Sequence, residues 1–144
     1  MKKLIIFSLV LVLLSCKKEV DLENINQLNG YWQISKAENT NGDKKEYPIN
    51  EVYDYFEFKN KTGLHKKVVW QPTGKFLVND MQENISIKKI EGEVFINFSS
   101  RYGKHVDKLE SISAEEMILM SKDNVKYYYK KVVLEEDKYG EKNQ

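Results

Sequence analysis

Val52-Tyr53-Asp54-Tyr55-Phe56-Glu57-Phe58-Lys59, then Asn60-Lys61-Thr62-Gly63, then Leu64-His65-Lys66-Lys67-Val68-Val69-Trp70-Gln71 is the stretch from which the fold is read. Phe56 and Phe58 share one side of the first segment, while Tyr53, Tyr55 and Glu57 share the other. That two-residue period belongs to a strand with one face buried. The Asn-Lys-Thr-Gly interval supplies residues that accept tight-turn dihedrals, and Leu64–Gln71 returns as a second strand. Strand, tight turn and strand, with no helical period between them, make an antiparallel hairpin.

The same pattern recurs along the chain. Strands are expected at Tyr31–Glu38, Val52–Lys59, Leu64–Gln71, Lys75–Asn79, Asn84–Glu91, Glu93–Ser99, Lys104–Ile112, Met117–Ser121 and Val125–Val133. Pro72-Thr73-Gly74, Gly92 and Tyr102-Gly103 separate them as turns. Val94, Ile96 and Phe98 alternate with Glu93, Phe95 and Asn97, and Val125, Tyr127, Tyr129 and Val133 face away from Lys126, Tyr128 and Lys130. Only Ser113-Ala114-Glu115-Glu116 looks like a helical turn, with Ser113 as its cap. Many short strands with almost no helix define an all-β protein, an antiparallel sandwich or barrel.

Composition narrows the function. At 144 residues, 41% hydrophobic, 12% aromatic and 31% charged, the chain is one globular domain's worth and not a disordered one. The 23 cationic side chains balance 22 acidic ones, which leaves no electrostatic case for nucleic acid. Arg101 is the single arginine, which excludes a protein built on bidentate arginine recognition of phosphates or carboxylates. Cys16 is the single cysteine, so there is no internal disulfide framework and no zinc site needing two thiolates.

The first residues read as an address. Met1-Lys2-Lys3 is basic, Leu4 to Leu14 is apolar except for Ser8, and the chain turns charged after Cys16. A bilayer-spanning helix needs about 20 apolar residues, so this run suits the core of a cleaved signal peptide. Leu13-Leu14-Ser15-Cys16 resembles the lipobox of bacterial lipoproteins. That resemblance implies cleavage before Cys16, acylation of its thiol and attachment to the membrane. Residues 1–15 are then the signal peptide, 16–27 a polar tether, 28–133 the folded domain and 134–144 a polar tail. Lys17 after the cysteine, in place of aspartate, implies the outer membrane, on its periplasmic face or at the cell surface.

Leu28-Asn29-Gly30-Tyr31-Trp32-Gln33-Ile34 opens the first strand with Leu-x-Gly-x-Trp. With Phe56-Glu57-Phe58, Gly74-Lys75-Phe76 and a tyrosine-rich last strand ending in Lys130-Lys131, it resembles the lipocalin-like domain of Bacteroidetes lipoproteins, over residues 28–133. The resemblance implies an up-and-down antiparallel barrel of about eight or nine strands. Gly30 would let the chain enter close to a neighbouring backbone, and Trp32 would plug one end. The cation that such proteins stack over the tryptophan would be Lys130 or Lys131.

No catalytic constellation is legible. His65 and His105 have no partner at ligand spacing within a strand apart from Asp107, and both read as surface histidines. No phosphate loop, nucleophile elbow, metal site or cofactor motif is present. The expected protein is therefore a non-enzymatic binder of a small hydrophobic or amphipathic ligand. Its barrel-lining or ligand-contact candidates are Trp32, Phe56, Phe58, Trp70, Phe76, Ile96, Phe98, Tyr127 and Tyr129. The alternative is a barrel filled by its own side chains, whose Tyr53, Tyr55 or Tyr128 face docks a partner protein.

Overall fold

A computed structural model describes residues 20–48, 51–71, 73 and 75–133, with the backbone alone at 76 and 78–80. The signal peptide, Cys16, the tail after 133, Pro72, Gly74 and the side chain of Phe76 lie outside the described residues. A 3-10 helix, Leu22–Leu28, leads into nine strands: β1 Gly30–Glu38, β2 Lys44–Glu46, β3 Val52–Lys59, β4 Thr62–Trp70, β5 Phe76–Ile90, β6 Glu93–Ser100, β7 Gly103–Ile112, β8 Glu116–Met120 and β9 Lys126–Val132. Each strand from β3 onward pairs antiparallel with the next, and β9 returns to β1, from Tyr31 opposite Val132 to Glu38 opposite Lys126. The result is a closed eight-stranded up-and-down barrel, with β2 added outside the cycle on β1.

The barrel anticipated from the hairpin pattern and from Leu28–Ile34 is thus the observed architecture. The inward face follows the alternation: Asp54, Phe56 and Phe58 on β3, Ile85 and Ile87 on β5, Val94, Ile96 and Phe98 on β6, and Met117 and Leu119 on β8 are all buried. Bulges at Ile34/Lys36, Lys66/Val68 and Leu109/Ser111 shift the register where the wall bends.

One end is closed. Leu22, Ile25 and Leu28 recur every third residue, the period of a 3-10 helix, and place one apolar face against the core. Asp21 caps this helix by accepting a hydrogen bond from the Glu23 amide at 2.9 Å. This corrects the expected tether over residues 16–27: from Val20 onward that segment is part of the folded unit, because its apolar residues plug the barrel. Trp32 is fully buried, and its indole Nε1 donates to the Leu28 carbonyl at 2.8 Å. Asn29 extends β1 with a side chain: its amide accepts from the Phe58 N–H at 2.5 Å and donates to the Phe58 carbonyl at 3.1 Å.

Lys131, rather than Lys130, stands over the Trp32 ring, with Nζ 4.5 Å from its centroid. The same ammonium donates to the carbonyls of Gln27 and Asn29. It thereby satisfies carbonyls at the end of a helix that has no further turn to bond them. Burial lowers the Lys131 pKa from its ordinary value. Gly30 has φ +111°, and a Cβ there would come within 3.1 Å of Lys131 Cε, so the glycine makes room for this cation.

Three expectations are corrected. The two strands expected over 75–79 and 84–91 are one continuous strand, β5, because the run between them stays in the ladder around a bulge. Residues 113–116 form a hairpin turn and not a helical one, although Ser113 Oγ does accept from the amides of Glu115 and Glu116 at 3.3 and 3.0 Å. β2 is an additional strand whose three residues, all exposed, carry no hydrophobic signal. The β3–β4 turn is also tighter than its sequence suggested. Asn60 and Lys61, with φ of 53° and 68°, make a two-residue turn between Lys59 and Thr62.

Gly63 therefore lies within β4, opposite Phe58 and Ile85. A Cβ at Gly63 would sit 2.0 Å from the Glu57 carbonyl oxygen and 2.8 Å from Phe58 Cα. Backbone atoms cannot swing aside, so Gly63→Ala should cost about 3 kcal/mol, as overpacking of a well-packed site does. Thermal unfolding checks this; an unchanged midpoint would show that β3 and β4 are not so closely apposed.

Candidate functional site

Above the apolar core the inward positions turn polar. Asp54 ends the three-residue pairing of β3 with β1, opposite Trp32, and β1 then exchanges β3 for β2 as its partner. His65 lies opposite Phe56 on β4, Glu83 opposite His65 on β5, His105 opposite Phe98 on β7, and Asp107 opposite Ile96. Five ionisable side chains from four strands thus form a belt around the lumen.

Its geometry is continuous. His65 Nε2 is 2.7 Å from Asp54 Oδ1, and His65 Nδ1 is 2.9 Å from Glu83 Oε2. Glu83 Oε1 is 3.9 Å from His105 Nδ1, and His105 Nε2 is 3.9 Å from Asp107 Oδ2. His65 thus bridges two carboxylates, one from β3 and one from β5. Both ring nitrogens of His65 are engaged by these carboxylates, which leaves neither open to a substrate.

Aromatic rings form the floor and one wall. Phe56 packs on His65 at 4.6 Å between centroids, Phe98 meets His65 edge-on at 5.5 Å, and His105 stacks flat on Phe98 at 4.4 Å. Solvent enters at His105, whose side chain is 49% exposed, whereas that of His65 is 9% exposed. The sequence expectation of two surface histidines is corrected: His65 is buried, and its partners come from other strands.

Tyr129 on β9, opposite the buried Met117, also faces inward and is partly buried against the core. Burial, then the nearby charges of Asp54 and Asp107, push its phenol pKa far above the ordinary value. Among the described residues no group donates to or accepts from its hydroxyl. A depression of about 390 Å³ opens beside it, with Ser35, Glu46, Ser111 and Tyr128 in its lining.

The sequence candidates divide between these layers. Trp32, Phe58 and Ile96 belong to the buried core, and Phe56 and Phe98 carry the polar belt. Tyr127, opposite Leu119, and Tyr129, opposite Met117, face inward and are part-buried. Trp70, two residues beyond the buried Val68, ends β4 and is 39% exposed. Asp54, His65, Glu83 and His105 were not candidates. The signal that could have found Asp54 was its parity, since it shares the inward side with Phe56 and Phe58. Among the described residues no group of three or more His, Cys, Asp or Glu side chains is arranged to hold a metal ion.

The Asp107 carboxyl is held above its ordinary pKa, first by desolvation; His105 opposes this, Glu83 adds to it and His65 again opposes it. A carboxyl whose pKa is raised by folding contributes stability below its unfolded value, and that contribution is lost as pH rises through the folded one. At neutral pH the ionised group is therefore a burden on the fold. Asp107→Asn should stabilise the protein at neutral pH by about 0.5–2 kcal/mol, the usual range for relieving such a site. The gain should vanish in acid, where Asp107 itself is neutral. Urea titrations at the two pH values measure it; an equal gain at both would mean that charge is not its cause.

Fold and site together define a closed β-barrel whose inward face carries a polar belt, reached by solvent at His105, beside a filled core. Among solved structures the chain is similar to a lipocalin-like protein from Bacteroides uniformis ATCC 8492, at 15% identity and TM-score 0.46, over 74% of this chain and 99% of that one. It is similar to an uncharacterized protein from Bacteroides eggerthii DSM 20697 at 15% identity and TM-score 0.46, over 73% and 99% of the two chains. It is also similar to apocrustacyanin C1 at 14% identity and TM-score 0.47, over 83% of this chain and 68% of that one. No family model matches the chain, and no curated protein matches it.

Proposed function

We propose that this protein is a non-catalytic binder of a small amphipathic molecule, held by acylated Cys16 to the bacterial outer membrane, on its periplasmic face or at the cell surface. One observation carries the ligand reading: a ring of hydrogen-bonding side chains, reached by solvent, lies on an aromatic floor inside a closed barrel. Small-molecule sites combine an apolar lining with a few converging polar groups in this way. A purely hydrophobic ligand fits less well, since it would bury Asp107 and the second oxygen of Glu83 without hydrogen-bond donors. The doubly occupied His65 favours binding over proton-transfer chemistry. Anchoring through two or more acyl chains on one residue would be stable, at about 0.8 kcal/mol for each buried methylene.

Two measurements test the proposal. Labelling cells with a palmitate analogue should mark the protein and fail to mark Cys16→Ala; label on the variant would remove the anchor. Native mass spectrometry of protein purified from its own host should show a bound small molecule that leaves on partial unfolding. A host-purified protein that is always ligand-free would remove the binding role.

A further inference from the structure

We propose that the lumen recognises a small organic amine in its ammonium form, seated between Glu83, Asp107 and the Tyr129 hydroxyl beside the Phe98–His105 stack; this rests on the lumen-binding reading above. Charge is the first argument. The belt sets three carboxylates against two imidazoles, so its acidic groups outnumber its basic ones. The nearest cationic candidate for Asp107 is His105, 3.9 Å away and beyond hydrogen-bond reach. Lys67, registered opposite Asp54, is exposed and makes no ion pair among the described residues. The lysine that does face inward, Lys131, is engaged with Trp32 at the closed end.

Hydrogen bonding is the second argument, and it is independent of charge. Glu83 Oε1 and Asp107 Oδ2 are acceptors lacking a donor within 3.5 Å among the described residues, and the Tyr129 hydroxyl has no partner there either. An ammonium brings up to three donors and no acceptor, which suits two carboxylates and a phenol oxygen. A carboxylate ligand would add a negative charge to this belt, and a neutral apolar one would desolvate Asp107 further. The flat Phe98–His105 pair, with centroids 4.4 Å apart and planes 5° apart, offers a surface for a ligand's ring. Specificity for charge then comes from the belt, and affinity for the ligand's body comes from the aromatic floor.

The test is calorimetric titration of the full chain at neutral pH with three probes sharing one body: phenethylamine, 2-phenylethanol and 3-phenylpropionate. Phenethylamine should bind at least about tenfold more tightly than the alcohol, the worth of one charge-assisted hydrogen bond, and the acid should not bind measurably. Asp107→Asn should weaken the amine about tenfold, leave the alcohol unchanged and still raise thermal stability, so misfolding cannot explain the loss. Asp123→Asn, which removes an exposed charge from the β8–β9 turn, should change none of these. Alcohol or acid binding as tightly as the amine would overturn the amine assignment and leave the lumen as a binding site. If none of the three binds, and host-purified protein carries no ligand, both readings fall.

Discussion

Trp32→Ala should cost about 3–5 kcal/mol of stability, the range for truncating a fully buried aromatic side chain. Domains of this kind are stable by only about 5–15 kcal/mol, so the variant would sit near its folding threshold. The loss has three sources. The indole volume would become a cavity among Leu28, Phe58 and the other core residues. The Leu28 carbonyl would lose its 2.8 Å donor in a buried place. Lys131 would lose the ring beneath its ammonium, leaving a desolvated cation held by carbonyls alone. Trp32→Phe separates these: it keeps most of the apolar plate, removes the Leu28 hydrogen bond and should cost about 1–3 kcal/mol. Urea unfolding followed by circular dichroism is the measurement. Trp32→Ala within 1 kcal/mol of wild type would mean that the closed end does not hold the barrel together.

This end of the molecule is also the part most legible in the chain. Gly30, Trp32 and a terminal lysine lie in two local stretches, and the alternation of Phe56 with Phe58, and of Val94 with Ile96 and Phe98, marks the inward face without any knowledge of pairing. The other end carried no such local mark. Asp54, His65, Glu83, His105 and Asp107 are spread over four strands and approach one another only when the sheet curls shut. Each looks like an ordinary polar strand residue. Only the parity rule, by which a charge at an inward position needs an inward partner, distinguishes Asp54 from Glu57, and bulges such as the one at Lys66/Val68 disturb that parity. The 3-10 helix is hidden for a different reason: Leu22, Ile25 and Leu28 have a period of three, which matches neither the 3.6-residue helical period nor the two-residue strand period.

His65→Leu should be destabilising to a similar degree, about 3–5 kcal/mol at neutral pH, for an electrostatic reason. The wild-type imidazole stands between Asp54 and Glu83, donating to or sharing a proton with each. Leucine has comparable bulk but no N–H, so the two carboxylates would face each other across an apolar side chain, with Asp54 only 9% exposed. Removing one partner of a buried charge pair costs more than the pair contributed, because the survivor stays desolvated and uncompensated. Adding Asp54→Asn to His65→Leu should recover part of the loss at neutral pH, a non-additive coupling that a double-mutant cycle reads directly. Strictly additive penalties would show that Asp54, His65 and Glu83 do not act as one unit. The same experiment bears on the lumen's charge. If His65→Leu leaves the belt more negative without collapsing it, phenethylamine should bind the variant more tightly than wild type, whereas an uncharged belt would give no such change.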